Sequence, residues 1–108
     1  VRTIADALPL VIWVNDTQGR IEFFNRYYEE FFGVTEASVR EGDWAPLVHP
    51  DDRPEYVSTF LAALRERRPF HAAARVRRAD GEWRWIESTG VPRFDPDGAF
   101  LGMIGSSP

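Results

Sequence analysis

Cysteine and lysine are both absent from this chain of 108 residues. Without cysteine there can be no disulfide, no thiol nucleophile, no cysteine-ligated zinc or iron–sulfur cluster, and no cysteinyl photoadduct of a flavin. All 13 basic residues are arginine, which excludes a Schiff-base lysine and the lysine of a phosphate-binding loop. Several large classes of enzyme and redox protein are therefore excluded before any motif is considered.

Long apolar runs are also missing. No stretch approaches the roughly 18 residues that a membrane-spanning helix needs, and no signal-peptide pattern opens the chain. We therefore expect no direct membrane contact and a cytoplasmic location, with a membrane anchor still open for a larger parent protein. The net charge of −4 argues against a nucleic-acid partner, because such a partner requires a basic face to neutralise its phosphates.

Aromatic residues, in contrast, are plentiful. Four tryptophans, three tyrosines and eight phenylalanines supply bulky side chains, and hydrophobic residues make up 44% of the chain. This length and balance suit one compact domain with one core.

The first third of the sequence predicts a β-hairpin and a short helix. Residues 8–16 are apolar and β-rich, residues 19–25 alternate apolar and polar side chains, and turn-forming residues separate the two runs. Asn25 is a good N-cap for a helix that runs to Phe32 and ends at Gly33. A further short turn is expected between Thr35 and Gly42.

The middle of the chain predicts one long helix, over about residues 54–67. Pro54 belongs in its first turn, because a proline lacks the N–H that the helix interior requires. That placement makes Asp51 the N-cap, with Asp52 stabilised by the free N–H groups beside it. The apolar stripe of the helix follows the spacing i, i+3, i+4 and i+7, at Val57, Phe60, Leu61 and Leu64.

The segment His49-Pro50-Asp51-Asp52 before this helix has two interpretations. A histidine beside two aspartates could be a haem or metal ligand, or an acid–base site. The same residues also serve as the start of a helix, which already accounts for the proline and both aspartates. The only other histidine, His71, is predicted to point away from the core, and this pair does not make a zinc site. We therefore favour the helix start and expect no metal.

The last third predicts three strands. The first places Phe70, Ala72, Ala74 and Val76 on one face. Asp80-Gly81 is a strong hairpin signal, after which residues 82–94 return as the second strand. Residues 99–105 form the third. Helices gathered in the middle of an antiparallel set indicate an α+β domain with the helices on one face of the sheet.

Five short fragments in this order resemble those of a PAS domain, a sensory module found in many bacterial signalling proteins. The fragments are WVND (13–16), NRYYEEFFG (25–33), VHPDDR (48–53), RRADGEWRW (77–85) and DPDGAFLGMIG (95–105). They are most similar to the subgroup with HPDD and DGE-RW signatures. The resemblance covers essentially the whole chain and implies a single PAS domain, residues 1–108, as a fragment of a larger multidomain protein.

The fold that this resemblance implies is a five-stranded antiparallel sheet in the order 2-1-5-4-3, with short helices and one long helix on one face. The implied function is a sensory or regulatory domain that senses a small ligand or mediates dimerisation, and relays the signal to an attached effector. The first expectation for the effector is a histidine kinase of a bacterial two-component phosphorelay. Alternatives are an unliganded protein–protein interaction domain of a cyclic-di-GMP cyclase, phosphodiesterase or transcriptional regulator, and lastly a haem or flavin redox sensor.

No catalytic motif is present, so we expect no enzymatic activity in this domain and no cofactor. A small-molecule ligand remains possible, with its identity open. In the family it is held between the sheet and the middle helices, where seven residues are candidates to line a cavity or, alternatively, to fill the core and leave none: Tyr28, Phe31, Val57, Phe60, Leu61, Val76 and Met103.

The first and last strands are apolar on both faces. A sheet that exposes one face to solvent normally has polar residues on that face. In the implied order these strands are neighbours, so their outward residues would form one apolar patch that needs a cover. The expected covers are residues 1–7 folded back as a short helix, a second copy in a homodimer, or a helix from the flanks. Candidates for this dimer and coupling face are Val11, Trp13, Leu101 and Met103.

Overall fold

A computed structural model describes residues 2–35, 38 and 44–107. The short turn expected between Thr35 and Gly42 lies mostly outside these residues. Within the described part, Thr35 and Ser38 exchange hydrogen bonds between backbone and side chain. The elements in chain order are α1 Arg2–Ala7, β1 Val11–Asn15, β2 Ile21–Phe24, α2 Arg26–Phe32, a 3₁₀ turn Ala45–Leu47, α3 Arg53–Glu66, β3 Phe70–Arg77, β4 Trp83–Phe94 and β5 Phe100–Ser107.

The five strands form one antiparallel sheet in the order β2-β1-β5-β4-β3, which confirms the predicted topology. Asp80-Gly81 turns between β3 and β4 as predicted, and Gly81 has a φ of 90° that favours glycine. The helices pack on one face, where buried side chains from β1, β3 and β5 form the core with those of α2 and α3. The middle of the chain thus covers a sheet that its two ends build.

The helix α2 begins and ends at the predicted residues. The side chain of Asn25 accepts a hydrogen bond from the Tyr28 backbone N–H, and Gly33 closes the helix in the left-handed conformation, with a φ of 68°. The N–H of Gly33 donates to the Glu29 carbonyl, which satisfies one of the free carbonyls at the helix end.

The buried stripe of α3 in the structure is rotated by about one residue relative to the predicted stripe. Phe60 and Leu64 are buried as expected, but Tyr56 and Ala63 accompany them, while Val57 is partly exposed and Leu61 is 44% exposed. Both stripes have helical spacing and share two members. The sequence alone could not separate them, because tyrosine and alanine are common both in cores and on surfaces.

Val11, Trp13 and Met103 face the helices, which corrects their assignment to a dimer and coupling face. The physical reason lies in a pair of glycines. Gly90 and Gly105 are paired across β4 and β5, and a Cβ at either position would press on the indole of Trp13. The two glycines therefore leave a slot for this ring on the inner face. Leu101, the fourth candidate, lies beside an irregularity in the β4–β5 pairing and is 38% exposed.

The outer face of the sheet carries an apolar row, which we define as Phe23, Val14, Ile104 and Val91. These residues pair side by side across β2, β1, β5 and β4. Val91 is 47% and Ile104 40% exposed. The apolar patch expected from the sequence therefore exists, with different members.

The expected N-terminal helix forms as α1, but it packs against the start of α2. The Ala5 carbonyl accepts from Asn25 Nδ2 at 2.9 Å, and the Asp6 carboxylate accepts from the Arg26 backbone N–H at 2.8 Å. The exposure of Val91 and Ile104 shows that α1 leaves this part of the apolar row open. In the described ranges, no helix combines the length and apolarity needed to cross a bilayer.

Candidate functional site

A cavity of about 50 Å³ lies between the sheet and the helical layer. Residues from all five strands form one wall, and residues of α2, α3 and the segment before α3 form the other. The sheet contributes Val11, Trp13, Asn15, Ile21, Val76, Ile86 and Ser107. The helical layer contributes Tyr28, Phe32, Trp44, Leu47, Val48, Tyr56 and Phe60.

Three of the seven predicted cavity residues line this space, namely Tyr28, Phe60 and Val76. Phe31 packs against Tyr27 and Phe32 instead, and its neighbour Phe32 reaches the cavity. Met103 is fully buried in the core but is not part of the cavity wall.

The prediction was wrong for the two remaining residues, Val57 and Leu61, because α3 turns them away from the cavity. They line a shallow groove on the outer side of this helix, together with Arg53, Ser58 and Arg65. Because a helix turns by about 100° per residue, the one-residue shift of the buried stripe carries both side chains away from the sheet.

Sequence reasoning missed the polar residues of the cavity. The buried hydroxyl of Tyr56 donates to Ser88 Oγ at 2.7 Å, and Ser88 Oγ lies 2.8 Å from Ser107 Oγ. Ser107 lies in the last strand, where its side chain reaches the cavity. The alternation of β5 from Met103 through Gly105 to Ser107 was the available signal, because alternate residues of a strand share one face.

Asn15 is the second polar group, and it is 1% exposed. Its Nδ2 donates to the Gly19 carbonyl at 3.0 Å, and the same carbonyl accepts from Trp44 Nε1 at 3.1 Å. Its Oδ1 has no hydrogen-bond partner among the residues that the structure describes. An asparagine at the end of an apolar strand predicts a turn, so no local pattern indicates that this side chain lies in the core.

The described residues that line the cavity carry no charge near neutral pH. Burial raises the pKa of the Tyr28 hydroxyl, and the proximity of Tyr56 raises it further. Burial also raises the pKa of Tyr56, against the opposing effect of its hydrogen bond with Ser88. Both hydroxyls therefore keep their protons, and the other lining residues are not ionisable. Aromatic side chains with a few polar groups can hold a small molecule by packing and hydrogen bonds.

The HPDD segment does start α3, but Asp51 is not its cap. Asp52 occupies the N-cap position without capping the backbone, and Asp51 is exposed at the surface. The Asp52 carboxylate instead binds Arg75 of β3, accepting from Nε at 2.8 Å, from Nη2 at 2.9 Å and from the backbone N–H at 2.9 Å. A fork of donors on a neighbouring strand binds a carboxylate better than the helix end does.

We call the Asp52–Arg75 ion pair the clamp, and the HPDD and DGE-RW motifs meet beside it. The ring of His49 packs on Trp83 with centroids 4.5 Å apart, and the guanidinium of Arg75 lies 5.3 Å from the ring centre of Trp85. The His49 backbone N–H also donates to the Arg75 carbonyl at 2.8 Å. These contacts fix the start of α3 to the sheet. Across the described residues, no three His, Asp or Glu side chains are grouped as metal ligands.

The clamp predicts a specific acid sensitivity. Hydrogen bonds from the Arg75 side chain and then its backbone N–H lower the pKa of Asp52 to about 2, although partial burial opposes them. A carboxylate whose pKa is lowered by folding stabilises the folded state at pH values above the ordinary aspartate pKa. This contribution disappears as the pH falls to the folded-state pKa. The free energy of unfolding of wild type should therefore exceed that of Asp52→Asn by a constant amount above about pH 5, and the difference should shrink between about pH 4 and pH 2.

Denaturant titrations of both proteins across this range test the prediction. Arg78 lowers the pKa of Asp80 as well, and this effect cancels because both proteins contain that pair. Asp51→Asn is the matched control, since Asp51 Oδ2 lies 3.9 Å from Arg75 and its side chain is 77% exposed. An equal loss in the two variants would contradict the clamp.

Comparisons with known proteins agree with this fold. The family model described as PAS fold matches residues 21–107. Protein y4lL of Sinorhizobium fredii is 38% identical over 104 residues, which make up 96% of this chain and 13% of that protein. The peroxide stress-activated histidine kinase mak3 of Schizosaccharomyces pombe is 30% identical over 87 residues, 78% of this chain and 4% of that protein. The chain thus spans a small part of these curated relatives.

Among solved structures, the PAS domain of a protein from Colwellia psychrerythraea matches with a TM-score of 0.81 at 24% identity, covering 98% of this chain and 90% of that one. The sheet order, the helical layer over one face and the match of the family model all agree. The chain belongs to the PAS family of sensory domains.

Proposed function

We propose that this PAS domain senses a small molecule in its core cavity and relays the signal, through a homodimer formed by its outer sheet face, to an attached effector. The observation that carries the proposal is the apolar row, which leaves Val91 and Ile104 exposed opposite the cavity. A soluble surface rarely keeps such a row open, so a second copy of the domain is its natural partner.

The cavity and the apolar row are connected through the same strands. In β1, Trp13 faces the cavity and its neighbour Val14 belongs to the row. In β5, Ser107 faces the cavity and Ile104 belongs to the row. In this proposal, these strands can adopt more than one arrangement. A ligand that fits one arrangement better would increase its population, and the outer face would change with it.

For the effector we propose a sensor histidine kinase within a larger multidomain protein. The S. pombe relative is named a peroxide stress-activated histidine kinase, and its matching segment is likewise a small part of a long chain. Among the described residues that line the cavity we find no catalytic group, and in this proposal the chemistry belongs to the effector.

Ile104→Glu tests the dimer. Placing a carboxylate in the middle of the apolar row should raise the dissociation constant of the homodimer by about tenfold or more, because each buried charge lacks a partner. Sedimentation equilibrium measures the constant. At concentrations where both proteins are monomeric, the midpoint of thermal unfolding should stay close to wild type because Ile104 is 40% exposed.

Ile4→Glu is the matched control. Ile4 is 69% exposed in α1 and is not a member of the apolar row, so this variant should associate like wild type. In the full-length protein, Ile104→Glu should uncouple the stimulus from kinase activity while leaving the domain folded. A wild-type domain that stays monomeric at high concentration, with the apolar row fully hydrated, would contradict the proposal.

A further inference from the structure

Two polar groups on the cavity wall have unused hydrogen-bonding capacity. Asn15 Oδ1 is buried without a partner in the described part of the chain. The Ser107 hydroxyl ends a chain that begins where Tyr56 donates to Ser88. When Ser88 donates to Ser107 in turn, Ser107 keeps a proton to donate. In that arrangement the residues lining the cavity include one acceptor without a donor, at Asn15, and one hydroxyl with a proton to give, at Ser107.

The orientation of the Asn15 amide is fixed by its neighbours. Its Nδ2 donates to the Gly19 carbonyl, which Trp44 Nε1 also binds. Rotating the amide by 180° would place Oδ1 against this carbonyl and break the bond. The free oxygen is thus held in a preorganised position, and a buried acceptor without a donor is costly unless something supplies one.

Apart from the hydroxyls of Tyr28 and Tyr56, the remaining wall is apolar, and it limits the size of any occupant. Aromatic rings of Trp13, Trp44, Tyr56 and Phe60 pack edge to face around the space. The volume of about 50 Å³ holds roughly four water-sized groups, because about 10–15 Å³ is needed for each. Pockets for drug-sized ligands or large cofactors measure roughly 300–1,000 Å³.

We infer that the cavity binds a compact, uncharged molecule of about four or five non-hydrogen atoms that donates one N–H or O–H hydrogen bond to Asn15 Oδ1. This inference rests on the proposed sensory function and defines the class of ligand. An apolar body packs against the aromatic wall, and the single donor satisfies Asn15. A second atom that accepts from Ser107 would add affinity, but Asn15 sets the selectivity.

Pyrrole and furan test this class directly. The two rings have the same size, but pyrrole carries an N–H where furan has an oxygen. In NMR titrations of the purified domain, the methyl signals of Ile21 and Ile86, which line the cavity, should shift and saturate with pyrrole. The signals of Ile4 and Ile104 should not, because both side chains are exposed elsewhere. Pyrrole should bind about tenfold tighter than furan or better, because furan leaves Asn15 Oδ1 without a donor.

Two variants locate the selectivity. Asn15→Leu removes the free oxygen at nearly constant size, so pyrrole and furan should bind it within about twofold of each other. Ser107→Ala removes the other polar group and should keep the preference for pyrrole. If Asn15→Leu does not fold, the comparison of the two rings on wild type still decides the question.

Equal affinity of wild type for the two rings would overturn the inference. So would shifts at Ile104 as large as those at Ile86, or the absence of any shift at millimolar concentrations, which would assign the cavity to water alone. None of these results affects the Ile104→Glu test, so the relay proposal and the ligand class can fail separately.

Discussion

Asn25→Ala should lower the free energy of unfolding by about 3–5 kcal/mol, more than the loss of any ordinary helix cap. Asn25 is fully buried, and its side chain makes four hydrogen bonds. Its Oδ1 accepts from the backbone N–H groups of Ile12 and Tyr28, each at 3.1 Å. Its Nδ2 donates to the carbonyls of Ala5 and Leu10, each at 2.9 Å. One side chain thus joins α1, β1 and α2, and alanine would leave four backbone groups without this partner.

Denaturant unfolding followed by circular dichroism measures the loss. Asn25→Ser is the matched variant, because serine can still accept from the Tyr28 N–H but cannot reach the other three groups. It should be more stable than Asn25→Ala by about 0.5–2 kcal/mol and remain well below wild type. A loss of about 1 kcal/mol or less for alanine would show that the other three bonds contribute little.

Gly105→Ala should cost about 3 kcal/mol or more, because its methyl group has nowhere to go. A Cβ at this position would overlap Cζ2 and Cη2 of Trp13 and lie 2.7 Å from the Thr89 carbonyl oxygen. Gly90→Ala should cost less, since its Cβ would meet Trp13 Cη2 at 2.9 Å. Gly81→Ala is the control for backbone strain alone, with open space around it and a φ of 90°, and should cost about 1–2 kcal/mol.

A double-mutant cycle identifies the indole as the cause. Trp13→Phe removes the two carbon atoms that the new methyl group would meet. Combined with Gly105→Ala, it should lose at least about 1 kcal/mol less than the sum of the single losses. Part of the cost should remain, because the Thr89 carbonyl is still close. Additive losses in thermal or chemical unfolding would mean that Gly105 acts through something other than Trp13.

The architecture could be predicted because each of its signals is local. Asn25 and Gly33 bound α2, Asp80-Gly81 turns the β3–β4 hairpin, and Pro54 marks the start of α3. Such signals depend on backbone conformation and on free N–H groups within a few residues. The order of the strands came from the resemblance, which supplies the long-range pairing that no local pattern contains.

The faces could not be predicted, because they depend on side chains far apart in the sequence. Trp13 turns inward where Gly90 and Gly105 leave room for its ring, and no pattern within β1 shows this. Similarly, α3 has two apolar stripes, and only contact with the sheet selects the one that includes Tyr56 and Ala63.

The polar part of the candidate site was hidden for a related reason. Asn15 lies where a strand gives way to a turn, a place in which asparagine usually needs no other explanation. Asn15 is buried beside Gly19 and Trp44. The Gly19 carbonyl accepts hydrogen bonds from both the Asn15 amide and the Trp44 indole. The position of the HPDD aspartates before a helix likewise predicts a capping role. The partner of Asp52 is instead Arg75 in β3, which is distant in the sequence.

The pairing of β1 with β5 sets the order of events when the protein is synthesised. Val11 pairs with Ser107, so the central strand pair joins residues from opposite ends of the described chain. At about 5–20 residues per second, a ribosome needs about 5–20 s between making these two residues. During that interval β1 lacks its neighbour β5, as does β4 once it has been made, and their unpaired edges stay open to chaperones or to aggregation. The domain therefore completes its sheet only once the last strand has left the ribosome, and closing so long a loop favours slow folding.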